Sequence, residues 1–397
     1  MSVGLQTLLR QMPQWTQVCQ PGSHKVLGAI EKCRTAALGY HLFECDKTNC
    51  QNKQMQFHSC RNRHCPACGG SRQQAWVEAR MRELIPCKYF HVVFTLPHVL
   101  NATLLGNRKV MFDMLFEATH YALHSFGNDS KFMGGKAGII SILHTWGQNL
   151  SFHPHIHCIV SGGGIDANGL WQEAKKAKYG ALYPVQAMEN VYRGRFMYLL
   201  KKAITEQRVN LPPCTHYAKL EHDLYAKRWV VYAKQPFGGP QQVVEYLGRY
   251  THKVAISNHR IKSIDEHNNI TFNYKDYADG SKKKLMTLSG EEFLRRFEQH
   301  ILPPGYCKIR SCGLYANHGR KSRITALLEQ LDVPPHKEPV KTPWHVLLME
   351  RTGKDPLLCP CCKIGRLLLV EVVRATAWKS QMQKPTETRK TCDRIAT

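Results

Sequence analysis

The chain has 397 residues, 43% of them hydrophobic and seven of them Trp, enough apolar material for two or three folded domains and too much for a disordered tail. Lys and Arg outnumber Asp and Glu by 55 to 30, a formal net charge of +25, so the expected partner is a polyanion. No apolar run approaches the roughly 18 residues that span a bilayer, and the opening MSVGLQTLLRQMPQW lacks the long apolar centre of a signal peptide. A cytoplasmic protein with no membrane partner is therefore expected.

Residues 1–85 are rich in Cys and His and close on a stretch from Ser71 to Ile85 whose apolar spacing predicts a connecting helix ending at Pro86. Six of the sixteen Cys fall between Cys33 and Cys68. In a reducing compartment such clustering points to metal ligands rather than disulfides. Zinc takes four thiolate or imidazole ligands at tetrahedral corners, and Cys65-Pro-Ala-Cys68 with Cys45 and Cys50 supplies two short pairs for one such site. Cys33, Cys60, His58 and His64 lie close enough in sequence to complete a second. Arg61 and Arg63 beside them are candidates for gripping phosphates.

Lys88 to Leu96, aromatic and β-branched and stopped by Pro97, reads as a buried strand, and a helix is expected around 108–126. Ala137–Trp146 and Phe152–Ser161 read as two strands of a hairpin, the second ended by Gly162-Gly163-Gly164. In Phe152-His-Pro-His-Ile-His157, alternation places His153, His155 and His157 on one face and Ile156 and Cys158 on the other, aiming several imidazoles at one point. Imidazole suits Mn²⁺ or Zn²⁺, and Mg²⁺ when phosphate oxygens and water complete the shell.

A helix is expected over 188–206, a strand over 228–234, and a second helix from Pro240 through Tyr250. On that helix Gln242, Tyr246 and Tyr250 share a face at four-residue spacing. A phenol held near a metal-bound phosphate has the chemistry to attack a phosphodiester and hold the product as a phosphotyrosine. Arg249, His252 and Lys253 stand beside it to steady phosphates. Two strands are expected around 254–262 and 270–274. Between Lys275 and Arg323 there are eleven Lys or Arg against five Asp or Glu, with Lys282, Lys283 and Lys284 forming a run. A Pro-rich linker at 334–341 leads to a small unit containing Cys359 and Cys362, a half site whose partners could be Cys307, Cys312 or His345.

Taken in order, Phe94-Thr-Leu-Pro97, His155-Ile-His157 and the segment from Tyr246 to Asn258 resemble the HUH endonucleases, and within them the two-tyrosine, rolling-circle transposases of bacterial insertion sequences. Trp229 to Pro240 and Ser59 to Cys68 are similar to that family too. The resemblance implies an α+β fold: an HUH domain with a central antiparallel sheet, preceded by a zinc-binding domain and followed by a small Cys-containing unit. The corresponding division is 1–85 for the zinc-binding domain, 86–275 for the catalytic domain, 276–340 for a basic extension and linker, 341–377 for the small unit, and 378–397 for a tail of disordered composition.

It further implies nicking and rejoining of single-stranded DNA at the ends of a mobile element, hairpins included, by a cytoplasmic, nucleoid-associated bacterial protein. Tyr246 and Tyr250 would be the nucleophiles. His155 and His157 would hold a catalytic Mg²⁺ or Mn²⁺, beside structural Zn²⁺. The third ligand is left open among Gln148, His153, Glu245 and Gln242. Two other readings stand beside it: a replication initiator or relaxase with the same chemistry, and a non-catalytic zinc-dependent nucleic-acid-binding protein.

Overall fold

In a computed structural model of the chain, residues 3–68, 70–175, 180–234, 255–277, 279–334 and 342–375 are described, together with Gln242 and Gly248. The fold is α+β with antiparallel sheets. Three short helices open it: α1 (Leu5–Gln11), α2 (Trp15–Val18) and α3 (Pro21–Glu31), the last started by Pro21, whose fixed φ and missing N–H suit a first turn. Strands β1 (Gly39–Cys45) and β2 (Lys53–Phe57) form a hairpin, and α4 (Gly70–Met81) follows where a connecting helix is expected.

The central sheet is assembled from distant segments. Strand β3 (Tyr89–Thr95) leads through α5 (Asn101–Gly106) to the long α6 (Arg108–Asn128). The hairpin β4 (Lys136–Trp146) and β5 (Phe152–Ile165) comes next, then the short β6 (Trp171–Glu173), α7 (Val185–Thr205), α8 (Tyr217–Ala226) and β7 (Val231–Lys234). Spatial order is β4-β5-β3-β7, with β6 paired to the end of β5.

Strand β5 runs on through the three glycines that were expected to end it. A side chain there would collide with its neighbours: a Cβ on Gly163 would sit 2.2 Å from the Trp171 ring, and one on Gly164 2.6 Å from the backbone of Lys136. The glycines therefore allow close strand pairing instead of terminating it.

After β7 come β8 (Ile261–Ile264), β9 (Ile270–Asp276) and β10 (Lys282–Leu288), a separate three-stranded sheet, and α9 (Gly290–Glu298). The Ser289 hydroxyl caps α9 by accepting from the Glu292 amide, and Glu291 and Glu292 in the first turn suit the helix dipole. The strand expected over 254–262 is shorter, because a helical turn at Asn258–Arg260 precedes Ile261. Strand β11 (Ile309–Gly313) then joins the central sheet at its β4 edge, followed by α10 (Arg320–Gln330), α11 (Trp344–Thr352) and β12 (Leu367–Arg374). The last strand returns to pair with β1, so the N-terminal sheet has the order β12-β1-β2.

Three apolar clusters follow from this arrangement. One face of the central sheet, with Val92, Phe94, Leu143, Ile156, Cys158 and Val160, is covered by α6 and α7 through Phe112, Leu115, Phe116, Phe196 and Leu200. The other face carries a smaller cluster, in which Ile140, Ile142 and Ile159 pack with Val77 of α4 and Ile324 and Leu328 of α10. A third joins Leu5, Leu8 and Leu27 of the opening helices to Phe272 and Phe293 of the small sheet and its helix. Among the described residues no helix is long and apolar enough to cross a membrane.

Candidate functional site

Alternation sorts β3, β4 and β5 into two chemistries. In the antiparallel register His144 of β4 lies opposite His155, which lies opposite Thr95 of β3. One row along, Ile142, His157, Val93 and Tyr232 stand side by side. Residues paired across an antiparallel sheet share a face, so His144, His155 and His157 all project away from α6 and α7. Each offers a ring nitrogen, and these nitrogens lie within 4.8 Å of one another. The Nε2 atoms of His155 and His157 are 3.1 Å apart. Two imidazoles on one ion at about 2.1 Å would have nitrogens about 2.9–3.4 Å apart, so the donor set fits a divalent cation.

The surroundings fix which nitrogens face inward. His155 Nδ1 donates to the His153 carbonyl at 2.6 Å, leaving Nε2 as the lone pair. His157 Nδ1 is 2.8 Å from Nε2 of His91, whose ring stacks on it in parallel. For His157 to keep its Nε2 lone pair toward His155, its Nδ1 must be the donor to His91, the usual role of an outer partner to a metal-binding imidazole. His144 stacks on Trp146. Burial, with a smaller contribution from His153, lowers the pKa of His155 to about 4, and burial together with His144, His155 and His91 holds His157 well below the ordinary value. His155 and His157 are thus neutral donors at physiological pH.

The third ring nitrogen beside those of His155 and His157 is that of His144, not one of the groups expected from the sequence. Gln148 lies in the hairpin loop, its amide 3.4 Å from the Tyr277 hydroxyl and its carbonyl accepting from Arg260. His153 shares the face but stacks on His98, one step outside the cluster. Counted back from its loop with Trp146 opposite Phe152, the expected hairpin would set His144 opposite Pro154; a register shift between His144 and Trp146 brings it opposite His155 instead. His91 sits on the expected β3, two residues from Val93, the partner of His157.

Tyr246, Tyr250, Arg249, His252, Lys253 and Glu245 lie outside the described residues, and Gln242 is exposed. Gly248, between the two tyrosines, is buried, and a Cβ on it would come within 2.1 Å of Val77. Val77 belongs to the cluster on the histidine-bearing face.

The cysteines form two tetrads rather than the grouping expected from spacing. Cys33, Cys60, Cys65 and Cys68 make one, and Cys45 and Cys50 join Cys359 and Cys362 in the other. In the first, the sulfurs of Cys33 and Cys68 are 3.4 Å apart and those of Cys60 and Cys68 3.7 Å. Four sulfurs about 2.3 Å from a central zinc would be about 3.8 Å apart, whereas a disulfide is about 2 Å long. The hydrogen bond Cys68 shares with Cys33 pushes its pKa down, and the one Cys65 shares with Cys33 pushes its pKa up. His58 and His64 stay outside: His58 Nδ1 bonds the Leu38 carbonyl, and half-buried His64 accepts from Arg63. Cys307 donates to the Ile309 carbonyl, Cys312 packs in the central sheet and His345 lies against Trp344, so none approaches Cys359.

Of the expected phosphate-binding cations, Arg61 and Lys283 are exposed. Arg63 is not available, because its guanidinium donates to the carbonyls of Pro303 and Tyr306. Lys282 pairs with Asp279, and Lys284 with Asp276 and Asp279, so the lysine run is partly neutralised.

Comparison with known proteins agrees with this construction. Residues 6–96 match the family model described as "Transposase zinc-binding domain", and residues 138–323 the one described as "Putative transposase". The chain is 38% identical over 358 residues to "Putative transposase y4qJ" of Sinorhizobium fredii, covering 88% of this chain and 89% of that one. It is 27% identical to the transposase for insertion sequence element IS801 of Pseudomonas savastanoi pv. phaseolicola, covering 83% and 79%. A structure of TrwC complexed with a 27-mer DNA overlaps 41% of this chain and 71% of that one at 10% identity, with a TM-score of 0.20, too slight to build on. The two family matches and the relative 38% identical over most of both chains define the chain as a transposase. The chain belongs to the HUH-type transposases of bacterial insertion sequences, the family that includes the IS801 enzyme.

Proposed function

We propose that this transposase nicks and rejoins single-stranded DNA at the ends of its element through a covalent 5′-phosphotyrosine, with His144, His155 and His157 holding a catalytic Mg²⁺ or Mn²⁺. The observation that carries this reading is the convergence of three imidazoles, those of His144 and His157 buried and that of His155 half-buried, on the sheet face left uncovered by α6 and α7. When bound, the ion polarises the scissile phosphate and offsets charge developing on its oxygens.

The chain's own groups supply the rest. The phenol oxygen of Tyr246 or Tyr250 attacks the phosphorus, the P–O3′ bond breaks, and the phenol's proton ends on the departing oxygen, so that the strand leaves with a free 3′-OH. A 3′-OH attacking the same phosphorus reverses the exchange and restores the tyrosine, so bond energy is conserved without a nucleotide cofactor. Two tyrosines allow two such attachments in sequence. Gly248, which falls between the two tyrosines in sequence, approaches Val77 of the cluster on the histidine-bearing face.

His91 orients His157 and is a positioning residue. Tyr232, half exposed on the same face, offers a ring for stacking an unpaired base, and Arg61 and Lys283 offer charge to the backbone. The zinc-binding domain fits the same reading as a structural, DNA-gripping module, with the Cys33, Cys60, Cys65 and Cys68 tetrad as its complete local zinc site.

The test uses a 3′-labelled single-stranded oligonucleotide carrying an element end. Wild-type protein with Mg²⁺ or Mn²⁺ should form an adduct that survives denaturation, and Tyr246→Phe with Tyr250→Phe should abolish it. Cleavage that persists in the double variant would refute the covalent tyrosine mechanism. DNA binding with no adduct under any metal would favour a non-catalytic binder.

A further inference from the structure

The second tetrad joins residues from opposite ends of the chain. Cys45 ends β1 and Cys50 lies in the turn after it, whereas Cys359 and Cys362 precede β12. The Cys45 and Cys362 sulfurs are 3.7 Å apart and those of Cys50 and Cys359 3.8 Å, with all four ligand atoms within 4.8 Å of one another. These separations match the edge of a zinc tetrathiolate, about 3.8 Å. They are also far longer than the bond of two disulfides.

The backbone is shaped for thiolates. N–H groups reach the sulfurs of Cys359 and Cys362. The Gly365 amide lies 3.2 Å from the Cys362 sulfur, and the Asn52 side-chain amide 3.4 Å from that of Cys359. Lys363 takes the left-handed conformation, φ 60°, that folds Cys359 to Gly365 into a tight knuckle. A Cβ on Gly365 would stand 2.4 Å from the Cys45 sulfur, so only glycine lets the knuckle close on β1. Neutral thiols are weak hydrogen-bond partners and do not require such a cage, whereas thiolates around a soft cation do.

We propose that Cys45, Cys50, Cys359 and Cys362 bind a second structural Zn²⁺, which clasps the C-terminal unit onto the N-terminal sheet. The two half sites are separated by more than 300 residues and enclose the whole central sheet. Neither half is a site alone. Cys359 and Cys362 also lie beyond both stretches that match family models. Around the clasp, Asp46 and Arg366 exchange hydrogen bonds, the Asp46 amide to the Arg366 carbonyl at 2.9 Å and the Arg366 amide to the Asp46 carboxylate at 2.8 Å. Strand β12 then pairs along β1 from Cys45–Leu367 to Gly39–Arg374. The ion therefore sets the register of a strand whose outward side chains, Leu368 to Val370 among them, have little burial of their own to hold it.

The test counts zinc by native mass spectrometry on the full chain, in a His155→Ala/His157→Ala background so that only thiolate sites contribute. Two ions per chain are expected. Cys359→Ser/Cys362→Ser should leave one, Cys45→Ser/Cys50→Ser should leave one, and all four substitutions together should still leave one, because both pairs serve the same ion. Two ions remaining after Cys359→Ser/Cys362→Ser would overturn the proposal, as would none remaining after all four. Cys362→His, which preserves a ligand, should keep both ions, which separates loss of the site from loss of the fold. X-ray absorption at the zinc edge of the two-ion protein should show a pure sulfur shell at about 2.3 Å. A nitrogen component, or a denatured mass four hydrogens light from two disulfides, would contradict it.

Discussion

Ile156 and His157 are adjacent in β5, yet they belong to different parts of the molecule. Ile156 is sealed among Phe94, Leu143 and the helices α6 and α7, in the largest apolar cluster. His157 projects the other way, toward His144, His155 and His91, where the sheet carries nitrogen instead of hydrocarbon. A two-sided sheet thus lets one strand serve stability and chemistry with alternate residues. Substitutions on the two faces should accordingly fail in different ways.

The largest effect belongs to the nitrogen face. His157→Ala removes a metal donor and should lower adduct formation about 10³-fold, while the melting temperature changes little. Equal loss of activity and stability would mean that the imidazole is only a packing residue. On the hydrocarbon face, Ile156→Ala should cost about 2–5 kcal/mol in denaturant unfolding, with adduct yield per folded molecule preserved. A variant that is stable but inactive would break the contrast.

Smaller effects test how the face is organised. His91→Ala, which leaves the ligands intact but frees the His157 tautomer, should weaken Mn²⁺ binding about 10- to 100-fold, and His91→Gln, which keeps a hydrogen-bonding group, should recover part of it. An unchanged affinity in His91→Ala would remove the positioning role. Tyr232→Ala should reduce single-stranded DNA affinity by about 1 kcal/mol, measured by fluorescence anisotropy, without altering metal binding. No change would move the base platform elsewhere.

Local patterning made much of this legible in advance. The alternation of Phe152 to Cys158 assigns the two faces directly, and the apolar spacing of α6 and α7 marks the helices that cover one of them. Contacts between distant segments were not legible. His144 is only one more strand residue until the hairpin register places it opposite His155. Cys45 and Cys50 look like natural partners for Cys65 and Cys68 because they are near in sequence, but β12 pairing with β1 brings Cys359 and Cys362 closer in space. Strand β10 was hidden by Lys282 to Lys284, whose charge outweighs the alternation through which Met286 and Leu288 pack on the small-sheet core.

The claim that this face is a three-histidine metal centre is tested most directly by Mn²⁺ titration, followed by electron paramagnetic resonance, of wild-type protein and the His144→Ala, His153→Ala and Gln148→Ala variants. His144→Ala should weaken binding about 100-fold, with His153→Ala and Gln148→Ala within a few-fold of wild type. Binding that survives His144→Ala but is lost in His153→Ala or Gln148→Ala would contradict the centre described.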